Sequence, residues 1–216
     1  MSADRHHFEV LSSELRFSGS VIGVRTDAVR MPDGSVANRD VVVHPGAVAI
    51  LALDDDDNVV MVRQYRHPVG HELLELPAGL LDVEGEPALT GARRELYEEA
   101  ALAAADWAVL LDIYNSSGMS DEAIRIYLAR GLSEIGEQDR FAPEHEEISM
   151  TVERHPLEEL VRMALAGELV NGTAVAGVLA AWACRVDGWS GLRAADAAWP
   201  ARPERAGPDR TAPAAG

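Results

Sequence analysis

Apolar and polar residues alternate in short runs over most of this chain, and the period lengthens to that of an amphipathic helix in only three places. Residues 8 to 17 and 20 to 30 read as strands. A PDGS turn and a return strand through Asp40 to Val43 follow. AVAILALD and NVVMVRQY form a predicted hairpin around DDDDN, whose four Asp lack the Gly and downstream Glu of a calcium loop and so read as a turn. WAVLLDIY, AIRIYLA and ISMTVER supply further strands. Helices are predicted from about residue 156 to 169 and from 173 to 186. The third helix opens at Glu86 and Pro87 and repeats Leu89, Ala92, Leu96 and Ala100 as its buried stripe. Strands interleaved with a few helices predict an α+β sandwich around a mixed sheet. From about Gly191 the chain is rich in Ala, Pro and Arg without periodicity, which predicts a disordered tail. The expected organisation is an N-terminal β-strand subdomain over residues 1–45, a main domain over 46–188 and the tail over 189–216.

The helix that opens at Glu86 carries the densest chemistry. Glu95 is followed three and four residues later by Glu98 and Glu99, so the three carboxylates leave one face of the helix within reach of a common ion. Like charges at these spacings repel by roughly 0.2–0.5 kcal/mol per pair, which a bound cation would reverse. Hard oxygen ligands suit Mg²⁺ or Mn²⁺. Arg94 reaches Glu98 one turn on and can orient it. A solvated, salt-bridged helix face is the plainer explanation of such a pattern. The loop before the helix, ELPAGLLDVEGE, argues against it, because an apolar turn feeding directly into the acidic helix brings backbone groups beside the carboxylates.

The segment GLLDVEGEPALTGARRELYEEAAL, residues 79 to 102, resembles the signature box of the Nudix hydrolases. Gly79, Glu86, Arg94, Glu95, Leu96, Glu98, Glu99 and Leu102 fall on its positions. Two departures stand out: six residues rather than five separate Gly79 from Glu86, and Ala101 replaces the last Gly of the box. The extra residue falls in a loop, where insertion is tolerated. Ala101 would carry strain if the helix ends there at positive φ, and a re-routed exit is the expectation. Residues 29 to 51 and 61 to 86, the latter with QYR and ELPAG, are similar to the ADP-ribose pyrophosphatase branch of the family, and a weaker likeness continues through residues 107 to 184.

That resemblance implies a Nudix-type α/β/α sandwich around a mixed sheet with an N-terminal β-rich extension. It further implies metal-dependent hydrolysis of ADP-ribose to AMP and ribose 5-phosphate. Glu95, Glu98, Glu99 and the carbonyl of Ala78 would hold Mg²⁺, with Mn²⁺ possible, Glu86 would add ligation or orientation, and Arg94 would brace the cluster. Arg66 and Arg39 would hold phosphate or ribose oxygens. Glu146 or Glu147, in APEHEEISM, would activate water, and the sequence does not separate the two. The branch carries a Pro followed by Gly beyond the box; here Ser117 replaces the Pro and Gly118 is retained as a substrate-site candidate. Another nucleoside diphosphate derivative such as a nucleotide sugar therefore stays open as substrate. So does a sensor module of the same fold without turnover, although three retained, mutually repelling carboxylates argue against it. The branch also implies a homodimer built through the N-terminal strands.

Composition narrows the remaining classes. At 47% hydrophobic and 25% charged over 216 residues, the chain can bury a full core. A net charge of −17 argues against a nucleic-acid partner, while local arginines and metal can still hold a small diphosphate. The polar start and the lack of a long apolar run predict no leader and no membrane partner, and the single cysteine, Cys184, suits a reducing compartment; cytoplasmic localisation is the expectation. The seven histidines show no zinc spacing, and Ser116 and Ser117 lack a nucleophile-elbow context.

Overall fold

The computed structural model describes residues 8–136, 138, 141, 150–200 and 202. By contact density the chain divides into two compact units. One comprises the chain up to Gly46 together with Ser116–Glu122; the other comprises Ala47–Asn115 and Ala123–Arg202.

The first unit is a three-stranded antiparallel sheet of β1 (Val10–Ser18), β2 (Gly23–Arg30) and β3 (Val36–Val43), in that order. Its strands form where the sequence predicts them, and Gly34, at φ +83, closes the PDGS turn where a side chain would be strained. Segment 116–122 is tied to this sheet. Val42 N–H donates to the Met119 carbonyl at 2.8 Å and Asp121 N–H to the Val42 carbonyl at 3.1 Å. Arg25 bridges Asp27 and Asp121 at 3.1 and 3.2 Å, and Asp121 also accepts the His44 N–H at 2.9 Å. Every residue of β1 is exposed, its apolar members included.

The second unit is built on a mixed eight-stranded sheet. Its main path runs β10 (Thr151–Pro156), β5 (Asn58–Arg66), β4 (Ala47–Leu53), β9 (Ala123–Glu134), β8 (Leu102–Tyr114), β11 (Arg193–Ala194). β6 (His71–Glu75) adds to β5 and β7 (Ala78–Leu80) to β4. Among the described strands of this sheet only β4 and β9 pair in parallel, Ala49 opposite Ile126, and this central position explains why AVAILAL is apolar throughout: all seven residues of β4 are buried.

Alternate residues of β4 serve two different cores. Val48, Ile50 and Ala52 join Val60, Tyr127 and Ala129 under Ala92 and Leu96 of α1 (Ala88–Ala100). Ala49, Leu51 and Leu53 face the other way, with Met61, Ile126 and Leu128, onto α2 (Leu157–Ala166) and α3 (Gly172–Val186). The result is the α/β/α sandwich expected, with the acidic helix, among the described helices, on one face and α2 and α3 on the other. No described helix is long and apolar enough to cross a membrane.

Three sequence expectations need correction. Pro87 is the N-cap of α1 rather than its first helical residue, with extended backbone at φ −63, ψ 141. The exit of α1 is not re-routed: Ala101 itself takes the left-handed conformation at φ 52, ψ 41, its N–H donating to the Tyr97 carbonyl at 3.0 Å, and β8 starts at the next residue. The predicted disordered tail is ordered over its first part. β11 pairs with β8, and Arg125, only 2% exposed, donates to the carbonyls of Ala197 at 2.7 Å and Ala198 at 3.1 Å. Its guanidinium also lies 4.8 Å over the Trp199 ring and pairs with Asp112 at 2.7 Å. The segment is held by backbone carbonyls and one aromatic ring, features that leave no hydrophobic period.

Candidate active site

The acidic helix docks on a turn that is shaped to receive it. β6 ends at Glu75 and β7 begins at Ala78, so the ELPAG segment expected as a turn is flanked by two short strands, fastened to β4 by the Ile50 N–H to Pro77 carbonyl bond of 2.8 Å. Ala78 N–H donates to Glu99 Oε2 at 2.9 Å, a charge-assisted bond linking the turn to the last turn of α1. One residue on, Gly79 lies against Glu95. A Cβ built on Gly79 would stand 1.9 Å from the Glu95 carboxyl carbon, so only glycine leaves room for that carboxylate.

Arg94 gathers the others. Its Nη1 lies 2.7 Å from Glu95 Oε1 and 2.9 Å from Glu98 Oε2, while Nη2 lies 3.3 Å from Glu86 Oε2 and Nε 3.4 Å from Glu86 Oε1. Burial alone would lower the guanidinium pKa; hydrogen bonding to Glu86 and the charges of Glu95 and Glu98 outweigh it and hold Arg94 above its ordinary value. Glu95 is buried, and Glu86, Arg94, Glu98 and Glu99 are half-buried.

Of the residues expected at the site, Ala78, Glu86, Arg94, Glu95, Glu98 and Glu99 are therefore brought together through hydrogen bonds and ion pairs. They are not disposed as three carboxylates around one point: among the described residues no group of three His, Cys, Asp or Glu side chains is gathered for a metal, because Arg94 lies between Glu95 and Glu98 and Glu99 turns to the Ala78 amide. Their donor chemistry nevertheless fits a divalent cation. All the available donors are hard oxygens, and two carboxylates already converge on a single cationic nitrogen.

Arg66, at the end of β5, forms a two-bond pair with the buried Glu75, a partner that sequence reasoning passed over. The signal was available as an acid that follows two leucines at the end of the strand HELLE. Arg39 is an exposed residue of β3 that donates to the Asn38 carbonyl at 2.9 Å, and Gly118 lies in segment 116–122; both belong to the first unit. Glu146 and Glu147 lie outside the described residues.

A NUDIX domain family model matches residues 43–175, well over half of the chain. This chain belongs to the Nudix family. Across its length it is similar to an ADP-ribose pyrophosphatase of Mycobacterium tuberculosis, 49% identical over 198 residues, which are 92% of this chain and 94% of that protein. An ADP-ribose pyrophosphatase of Bacillus subtilis is 38% identical over 130 residues, 60% of this chain and 70% of that one. Among solved structures, one titled as an ADP compounds hydrolase superposes with a TM-score of 0.71 at 21% identity, covering 88% of this chain and 99% of its own, which supports the Nudix fold. The chain is accordingly a Nudix hydrolase, and the box identified by sequence is the segment that forms α1 and the turn beneath it.

Proposed function

We propose that this Nudix hydrolase cleaves the diphosphate bond of ADP-ribose to give AMP and ribose 5-phosphate. The reading is carried by the docking of α1 on the ELPAG turn, in which Glu95 fits over Gly79 and Glu99 holds the Ala78 amide. The 49% identity to an ADP-ribose pyrophosphatase over nearly the whole chain supports the choice of substrate.

In this mechanism Glu95, Glu98, Glu99 and the Ala78 carbonyl would hold Mg²⁺, or Mn²⁺ in its place. When bound, the metal lowers the pKa of water and offsets the charge that builds on phosphate oxygens. Arg94 and Glu86 keep the carboxylates in place: with two of its nitrogens on Glu86 and a third shared by Glu95 and Glu98, the guanidinium limits the rotamers open to all three. Arg66 supplies positive charge to the substrate, and Arg39 and Gly118 are further contacts. Glu146 or Glu147 takes the proton from the attacking water.

The enzyme acts as a cytoplasmic homodimer. Support for the dimer comes from β1, where Val10 and Phe17 are each 55% exposed on a three-stranded sheet, an apolar surface suited to a second copy. Support for the compartment comes from the single, unpaired Cys184.

The decisive experiment measures products from ADP-ribose, ADP-glucose, GDP-mannose, NADH and nucleoside triphosphates, with and without Mg²⁺, beside Glu99→Gln. Metal-dependent AMP and ribose 5-phosphate, formed fastest from ADP-ribose and lost in Glu99→Gln, is the expected result. Faster turnover of another diphosphate would replace the substrate, and tight binding without turnover of any would favour a sensor.

A further inference from the structure

Glu75 ends β6 with only 4% of its surface exposed, yet it carries a carboxylate. Burying such a group is costly unless it is paired and hydrogen-bonded. Arg66 meets it in the planar two-bond geometry that a guanidinium offers a carboxylate: Nε to Oε1 at 3.0 Å and Nη2 to Oε2 at 2.7 Å. The two partners are unequally placed. The Glu75 side chain is 5% exposed and that of Arg66 41%, so a cationic group at the surface is anchored from below by a buried anion.

A pair that served stability alone would gain little here, because well-packed apolar residues commonly match or exceed a buried ion pair. What the pair does provide is a guanidinium held in one orientation before any ligand arrives, sparing the rotamer freedom that a long side chain otherwise loses on binding. The buried end of the pair is close along the chain to the turn that receives the α1 carboxylates. Glu75 lies three residues before Ala78, which holds Glu99, and four before Gly79, which accommodates Glu95. At about 3.3 Å per extended residue, the backbone at Glu75 is at most about 10 Å from that at Ala78.

We infer that Glu75 is a positioning residue for substrate recognition: it fixes the Arg66 guanidinium as the receptor for phosphate or ribose oxygens of a nucleoside diphosphate derivative held at the α1 carboxylates. The inference rests on the hydrolase reading above, and it assigns Glu75 no contact with the substrate itself.

The test is steady-state kinetics of the full chain with Mg²⁺ for wild type, Glu75→Gln, Arg66→Lys, Arg66→Ala and the Glu75→Gln/Arg66→Ala pair, alongside thermal melts. The substrate is whichever nucleoside diphosphate derivative wild type hydrolyses fastest. Glu75→Gln is expected to raise KM by about 10-fold or more, in the range typical of groups that orient a binding residue, while kcat falls by less. Arg66→Lys keeps the charge but loses the two-bond geometry, and should raise KM similarly even if Glu75→Gln folds poorly. In the Arg66→Ala background, Glu75→Gln should add no further rise. An unchanged KM in Glu75→Gln with only a lower melting temperature, or an equal KM effect with and without Arg66, would overturn the assignment. If wild type prefers a diphosphate other than ADP-ribose, the substrate reading fails while the test of Glu75 proceeds on that compound; hydrolysis of none overturns both.

Discussion

The Glu95 carboxylate occupies the space where a side chain on Gly79 would begin, 1.9 Å from a Cβ placed there. The helix and the turn thus interlock through the absence of one carbon. Gly79→Ala must push the Glu95 carboxyl aside, and because that group is the far end of a flexible side chain, the fold should survive. We expect Mg²⁺ affinity to fall by about 10- to 100-fold, as for displaced metal-site residues generally, with the melting temperature nearly unchanged. Calorimetric titration of Mg²⁺ together with a thermal melt checks both halves; unchanged affinity would show that Glu95 yields without loss of metal binding, and a large drop in melting temperature that the added carbon displaces the helix rather than the carboxylate.

Arg94 neutralises a cluster that would otherwise repel itself. Arg94→Gln leaves Glu86, Glu95 and Glu98 facing one another without their shared cation, and should destabilise the protein by about 1–3 kcal/mol. A divalent ion can replace part of the lost charge. Mg²⁺ should therefore raise the melting temperature more in Arg94→Gln than in wild type, a comparison that calorimetric scans with and without the ion make directly.

Ala101 ends α1 at φ 52, where a Cβ is unfavourable by about 1–2 kcal/mol, whereas glycine would cost about 0.4–1 kcal/mol through its freer unfolded chain. The first effect is the larger. Ala101→Gly should stabilise the chain by roughly 0.5–1 kcal/mol, a rise of about 1–4 °C in melting temperature for a protein of this size. A lower melting temperature would mean that the Ala101 side chain contributes packing that outweighs the strain.

Hydrogen bonds from Arg63 first, and from His155 second, pull the Glu153 carboxyl from an ordinary 4.5 down to about 2. A folded-state pKa below the unfolded value adds stability that is full above about 4.5 and is lost as the pH falls towards 2. Glu153→Gln lacks this contribution at every pH. Its stability deficit relative to wild type should be present at neutral pH and shrink between pH 4.5 and 2, as urea melts across that interval would record; a constant deficit would assign the effect to packing instead.

Much of this was legible in the sequence because periodicity and burial coincide in it. AVAILAL reads as a strand and is one, buried on both faces, and the predicted acidic helix forms over Ala88–Ala100. What escaped depends on partners distant in sequence. The parallel pairing of Ala49 with Ile126 leaves no local mark, β7 is three residues long, and the Glu75 and Arg66 pair spans a hairpin. Spacing brings Arg94 to Glu98, and the resemblance implies that it braces the whole cluster; that it reaches Glu86 depends on how the loop before α1 returns, which spacing does not determine.

The same limit explains the C-terminal segment, where composition predicted disorder and the fold instead supplies partners. Ala195, Ala197 and Trp199 pack against the core that carries α1, and Arg125 is buried beneath them with Asp112 on one side and two backbone carbonyls on the other. Deleting the chain after Gly191 would leave that arginine with fewer hydrogen-bond partners and uncover part of the core, whereas Trp199→Ala removes only the ring above it. A half-buried Trp contributes less than the 3–5 kcal/mol of a fully buried one, so Trp199→Ala should cost about 2 kcal/mol and the truncation more. Arg193, whose Nη1 pairs with Asp112 at 2.6 Å, is lost only in the truncation. Urea melts of the two variants separate the possibilities: a segment without packing would leave both midpoints at the wild-type value, and a packed one lowers them in that order.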